Sequence, residues 1–233
     1  MRNEANFSGI LREVSEVVSA GRREIGIFVL VIGGITALGV ALGLTETSAG
    51  LYYGFYVDSN DTLGSGLFEV FAGIVSIVAT YLLLKALLAT RGRAGDGRNR
   101  FWEYLGMSIL SLIAIGIGSL LLLVPGIILA IRWSASSGFL ISRGEGVIDS
   151  LKASWHATKG HGWAIFFAAV VLGLGLLIVV GILAGLFALL GALVAGVISS
   201  FLEAFLNAVM AAFGVAIYCL VSDDARDVGE VFS

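Results

Sequence analysis

A chain of 233 residues that is 58% hydrophobic and 13% charged carries far less charge than soluble domains, which average roughly 25%, and cannot cover itself with a water-soluble surface. Its mean hydropathy of +0.99 agrees. The single cysteine, Cys219, excludes an internal disulfide framework and reads as a small buried hydrophobe; the net charge of -3 decides little, because the charges are unevenly placed.

Phe7, Ile10, Leu11, Val14, Val17 and Val18 recur at helical spacing, with Arg12, Glu13, Glu16 and Ser19 between them. This predicts an amphipathic helix within 1–24, lying along the membrane interface. A cleavable signal would need a short apolar core and a small-residue cleavage site. Apolar runs that can cross a hydrocarbon core of ~30 Å, which takes about 20 residues, follow at 25–44, 63–84, 102–123, 127–142, 163–187 and 192–221. The fourth is short. Only Val124, Pro125 and Gly126 separate it from the third, so the pair reads as a tight hairpin broken at Pro-Gly, or alternatively as one long segment that re-enters the membrane. Next, GVIDSLKASWHATKGHGW predicts a second interfacial helix over 145–160. Its apolar stripe is Ile148, Leu151, Trp155 and Thr158, with Lys152, His156 and Lys159 opposite. The fold class is therefore all-α integral membrane: six transmembrane helices plus two amphipathic interfacial helices. The membrane domain spans 25–221 and a short tail covers 222–233.

Glycine is abundant, as suits spans whose backbones approach closely, and Gly39 with Gly43 and Gly181 with Gly185 form GxxxG pairs read as helix packing. The two halves look alike, each placing an amphipathic cytoplasmic helix before a hairpin of two spans, and LREVSEVVSAGRREIGIF compares with LKASWHATKGHGWAIF if a gap is allowed. This fits a parallel repeat, or two unrelated helices that happen to precede spans.

Basic residues set the orientation. Arg2, Arg12, Arg22 and Arg23 precede the first span. Lys85, Arg91, Arg93, Arg98 and Arg100 lie between the second and third. Arg143, Lys152 and Lys159 lie between the fourth and fifth, and Arg226 follows the sixth. The alternate connections, 45–62, 124–126 and 188–191, hold no Lys or Arg. Both termini are accordingly expected in the cytoplasm of a cell whose inner or plasma membrane holds the protein. Tyr52, Tyr53 and Tyr56 would mark the outer interface; Trp102, Tyr104, Trp155 and Trp163 would mark the inner one. Asn60 opens a formal glycosylation sequon on the outer side.

Charged groups at membrane depth are expensive and are paired or face a polar cavity. Glu69, Arg132 and Glu203 qualify, with Asn207 one turn from Glu203. At a rise of ~1.5 Å per residue they lie about 9, 8 and 16 Å below the outer ends of their spans. Arg132 is expected to pair with Glu69 or Glu203. The pair reads as a clamp on helix register or as a polar site for a lipid headgroup or solute; snorkelling of Arg132 to the surface is the third possibility. Ser134, Ser136 and Ser137 add hydroxyls beside it.

Evidence for catalysis is thin. His156 and His161 are five apart, whereas metal pairs on one helical face want a spacing of three or four. GLGLLIVVG from Gly173 lies inside a span with no preceding strand, so it is no dinucleotide fingerprint. The stretch VPGIILAIRWS followed by GVIDSLKASWHATKGHGW, however, resembles the glycerophosphoryl diester phosphodiesterase membrane domain and the related YciC-like membrane proteins. The positions that carry the likeness are Pro125, Gly126, Arg132, Ser154, Trp155, Thr158, Lys159 and Gly160, with FSGILREV as a weaker match. Arg143 departs from it, since that family usually has an acidic residue there. The resemblance implies a membrane module and not a phosphodiesterase, because no soluble catalytic barrel accompanies the spans.

The expected function is thus non-enzymatic, in membrane or envelope homeostasis through lipid or protein contacts. No cofactor, metal or nucleic acid is expected, and the expected partners are membrane lipids, anionic ones at the cytoplasmic face. The alternative is a small-solute transporter or channel built on the intramembrane charges. Reporter fusions after Ser233 and near Asn60 should report opposite sides of the membrane; a common side would contradict the orientation.

Overall fold

The computed structural model describes residues 5–45 and 63–231, with side chains up to Ser222. Among them are nine α-helices and no strand: α1 (Phe7–Ala20), α2 (Arg22–Ala41), α3 (Leu63–Thr90), α4 (Phe101–Leu121), α5 (Leu123–Arg132), α6 (Ser136–Ser142), α7 (Val147–Ala157), α8 (Gly162–Ala188) and α9 (Ala192–Val231). Six segments are long and apolar enough to cross a membrane: Arg22–Ala41, Leu63–Thr90, Phe101–Leu121, Leu123–Ser142, Gly162–Ala188 and Ala192–Ser222. They coincide with the six apolar runs, so the chain is an all-α, multi-pass membrane protein. Asn60, Tyr52, Tyr53, Tyr56 and Arg2 lie outside the described residues.

The chain divides into two compact units, one of 1–22, 81–172 and 209–233, the other of 23–80 and 173–208. Of the 14 Lys and Arg residues all but Arg23 belong to the first, which we call the basic unit.

Its core is the 209–222 stretch of α9, where Ala212, Val215, Ala216, Ile217 and Tyr218 are buried almost completely. Glycine makes this packing possible. A Cβ on Gly138 would lie 2.6 Å from the Cβ of Tyr218, so α6 can cross α9 only without a side chain there. Phe139 then meets the Tyr218 ring edge-on at 5.0 Å, a geometry worth about 0.5–1.5 kcal/mol beyond burial. The Tyr218 hydroxyl donates to Ser142 Oγ at 3.0 Å. Cys219 is buried in this core. The helix itself does not stop at 221 but continues to Val231.

In α1, Asn6 Oδ1 accepts from the Gly9 N–H at 2.8 Å and caps the N-terminus. Ile10, Val14 and Val17 are buried, whereas Phe7 is exposed and Leu11 and Val18 are half-buried. Glu13, expected on the polar face, is buried and ion-paired with Arg91, just beyond α3; Arg91 also reaches Glu16 at 3.2 Å. Burial disfavours the Arg91 cation, but Glu13 and Glu16 outweigh it and hold its pKa above the ordinary arginine value.

The hairpin between the third and fourth spans differs from expectation. The chain turns at Leu122, in extended conformation, and Pro125 and Gly126 sit in the first turn of α5. Proline is tolerated there because the first N–H groups of a helix have no intrahelical acceptor. Gly126 instead serves close approach: a Cβ would lie 2.8 Å from the Ser119 nitrogen. The fourth span also begins earlier than 127 and is broken, α5 giving way to a turn at 133–135 before α6.

In the second unit, Gly33 lets Phe201 pack onto α2, since a Cβ would lie 3.0 Å from the Phe201 Cα, and Gly39 faces the Phe68 ring. Gly43 follows α2 at φ +66, a helix-ending conformation. Among the described residues nothing lies within 4 Å of a Cβ placed on Gly181 or Gly185, so that GxxxG pair packs against none of them.

Candidate functional site

The turn at 133–135 takes backbone groups out of their helical partnerships, among them the Arg132 carbonyl and the Ala135 N–H. In an unbroken helix the Arg132 carbonyl would accept from the Ser136 N–H, and the Ala135 N–H would donate to the Ile131 carbonyl. Here Ser136 N–H donates to Trp133 O at 3.0 Å, and Ser134 takes Ile131 O through both its N–H and its hydroxyl. The Arg132 carbonyl and the Ala135 N–H are thereby orphaned, and an unpaired backbone group away from water is costly.

One side chain satisfies both. Ser154, on α7, donates its hydroxyl to Arg132 O at 2.7 Å and accepts the Ala135 N–H at 3.3 Å. Thr158, one turn on, donates its single hydroxyl proton to Ser154 O at 2.8 Å, with Arg132 O at 3.3 Å as the weaker, shared acceptor. Both side chains are fully buried. Ser150, a turn earlier, is also fully buried and bonded to Val147 O and Met107 Sδ. Ser150, Ser154 and Thr158 stand four residues apart, so they form one buried seam with Leu151 beside it.

That seam corrects the expected stripe of the second amphipathic helix. Leu151 and Thr158 face inward, but Ile148 is 51% and Trp155 38% exposed. The outward face carries Ile148, Lys152, Trp155, His156 and Lys159. The helix is also shorter than 145–160, ending at Ala157, and Gly160 turns the chain at φ +96 toward α8. His156 is exposed, whereas His161 Nδ1 lies 3.0 Å from Ala5 O. Among the described residues no group of three His, Cys, Asp or Glu is placed to hold a metal.

The Arg132 guanidinium lies 5.6 Å from the centre of the Trp155 ring. Its Nη1 is buried without a hydrogen-bond partner among the described residues, where no carboxylate of the basic unit pairs with it. The expected partners belong to the other unit. Glu69 is half-buried on α3, Glu203 is exposed on α9, and Asn207 follows one turn later. Because α5 starts at Leu123 and not at 127, Arg132 lies about 14 Å along its helix at ~1.5 Å per residue, deeper than the expected 8 Å.

The α6–α7 connection carries a second polar cluster. Arg143 lies 4.7 Å over the Phe139 ring and 3.9 Å from Glu145. Arg100 donates through Nη1 to the Glu145 carbonyl at 3.0 Å and fits beside Gly144, where φ is +71. Burial pushes the Glu145 carboxyl up, Arg143 opposes this, and Asp149 reinforces it. Sequence spacing alone did not point to Arg100 or Glu145.

No family model, curated protein or solved structure matches the chain. Arg132, Ser154, Trp155 and Thr158 converge, and Pro125 and Gly126 lie in the first turn of the helix leading to them.

Removing the Ser154 hydroxyl orphans the buried Ala135 N–H and leaves the Arg132 carbonyl only the longer Thr158 contact; a buried unsatisfied group costs about 1–3 kcal/mol. Ser154→Ala should therefore destabilise the folded protein in detergent by about 1–3 kcal/mol after relaxation, and Thr158→Val by less. Because both hydroxyls serve the same carbonyl, the double variant should depart from additivity. Denaturant unfolding of the four proteins measures this; wild-type stability in Ser154→Ala would contradict it.

Proposed function

We propose that the protein is a non-catalytic multi-pass protein of the inner or plasma membrane, related to the glycerophosphoryl diester phosphodiesterase membrane domain and YciC-like proteins. Its basic unit would face the cytoplasm together with both termini and would contact anionic lipid, serving membrane or envelope homeostasis. The observation that carries this reading is the two-faced packing of α7. Its small hydroxyl seam is locked into α4, α5 and α6, while Lys152, Trp155, His156 and Lys159 remain outside. A helix so fixed cannot turn its cations inward. Each lysine near a charged leaflet contributes about 1 kcal/mol of attraction. Trp102 and Trp163, 78% and 75% exposed at the starts of α4 and α8, suit an aromatic belt at the same level.

The rival reading, a small-solute transporter or channel, draws on Glu69, Glu203 and Asn207 within apolar helices. Both are tested in proteoliposomes. Tryptophan fluorescence should be quenched more by brominated phosphatidylglycerol than by brominated phosphatidylcholine at equal mole fraction, and ion or solute flux should match protein-free vesicles. Equal quenching would remove the lipid preference, and protein-dependent flux would favour the transporter.

A further inference from the structure

Arg132 is the most exacting group in the basic unit. Its guanidinium is permanently charged, with five donors in a planar fork. It projects from a membrane-crossing segment, yet among the described residues of its unit no carboxylate pairs with it, and Nη1 is enclosed without an acceptor among them. Its position is nonetheless fixed. The main chain at Arg132 is held by Ser154 and Thr158, and the guanidinium rests over the Trp155 ring. A cation held in place with Nη1 unpaired among the described residues is prepared for a further acceptor.

The surroundings identify the kind of acceptor. Lys152 is three residues before Trp155 and Lys159 four after it, so all three share one face of α7 and its C-terminal turn, and all are exposed. Arg132, held over Trp155, thus joins two ammonium groups around one ring. Ile148, a turn before Lys152 on the same face, is 51% exposed and supplies an apolar neighbour. Glu145, just before α7, is turned to Arg143. Asp149, exposed in the first turn of α7 and three residues before Lys152, is the one acid within that helix, so the three cations keep a positive excess that matches a phosphate. The adjoining Ile148 and Trp155 match acyl chain and glycerol, which a free ion lacks.

We propose that Arg132, Lys152 and Lys159, arranged around Trp155, form a binding site for the phosphate of an anionic phospholipid. Arg132 takes two phosphate oxygens through its fork, and the lysines contribute charge that a zwitterionic lipid does not fully reward. The proposal rests on the lipid reading above and assigns it to a discrete site.

The test is native mass spectrometry of the full-length protein in detergent, titrated with dioctanoyl phosphatidylglycerol, dioctanoyl phosphatidylcholine and inorganic phosphate. The wild type should bind the glycerol lipid about tenfold more tightly than the choline lipid. Arg132→Lys keeps the charge but not the fork, and it leaves the main-chain carbonyl in its bonds to Ser154 and Thr158. It should lose most of that preference. Lys152→Gln with Lys159→Gln alters only exposed positions and should lose part of it. A preference that survives in both variants would overturn the site while leaving the general lipid reading intact; no preference in the wild type would overturn both. Displacement of the lipid by equimolar inorganic phosphate would overturn the assignment to lipid.

Discussion

A broken helix inside a membrane must have its freed backbone groups satisfied by the protein, because hydrocarbon offers no acceptor or donor. The turn at 133–135 creates that demand, and the Ser154 hydroxyl meets it, donating to the Arg132 carbonyl and accepting from the Ala135 N–H. Much else follows from this contact. It fixes the rotation of α7, because Ser150 and Thr158 must then lie on the same buried seam. The rotation in turn leaves Lys152, Trp155 and Lys159 outside and brings the Trp155 ring beneath the Arg132 guanidinium. Without the break, Arg132 would continue an ordinary apolar helix and its carbonyl would have no use for a hydroxyl from α7.

Close backbone approach is the second constraint, and glycine answers it at specific points. Gly138 admits Tyr218 against α6, and Gly126 admits Ser119 across the hairpin. Small residues at helix contacts are expected where apolar surface provides no drive for association and packing must supply it. At the other end of the basic unit the tie is ionic, Glu13 of α1 against Arg91 after α3. A buried pair of this kind is weak evidence for net stability, but losing one partner strands the other. Its role is better described as holding α1 in one register.

The six crossings were legible in the sequence because length and continuity of apolar residues are all that a crossing requires. The details beneath them depended on pairing, which hydropathy does not encode. Ile148 and Trp155 look like the buried stripe of α7 because they are large and apolar, yet the surface they face in a membrane is itself apolar. The seam that does pack consists of Ser150, Ser154 and Thr158, and a run of hydroxyls at intervals of four was the available signal. Glu13 stands three residues after Ile10 and four before Val17, so its spacing already placed it on the buried face; its charge argued otherwise. Ser134 and Ser136, read as polar company for Arg132, instead bond the carbonyls of Ile131 and Trp133 in the turn itself. Arg132 stands further along its helix than the apolar run from 127 implies, because Pro125 lies inside the first turn of α5.

The central claim is that the Ser154 hydroxyl closes the break in the fourth span. Amide hydrogen exchange at Ala135, read by NMR on the detergent-solubilised protein, tests it most directly. In the wild type the Ala135 N–H should be protected; in Ser154→Ala it should exchange far faster, while the Phe139 N–H, which bonds to Ala135 O within α6, stays protected. Equal exchange at Ala135 in the two proteins would contradict the account.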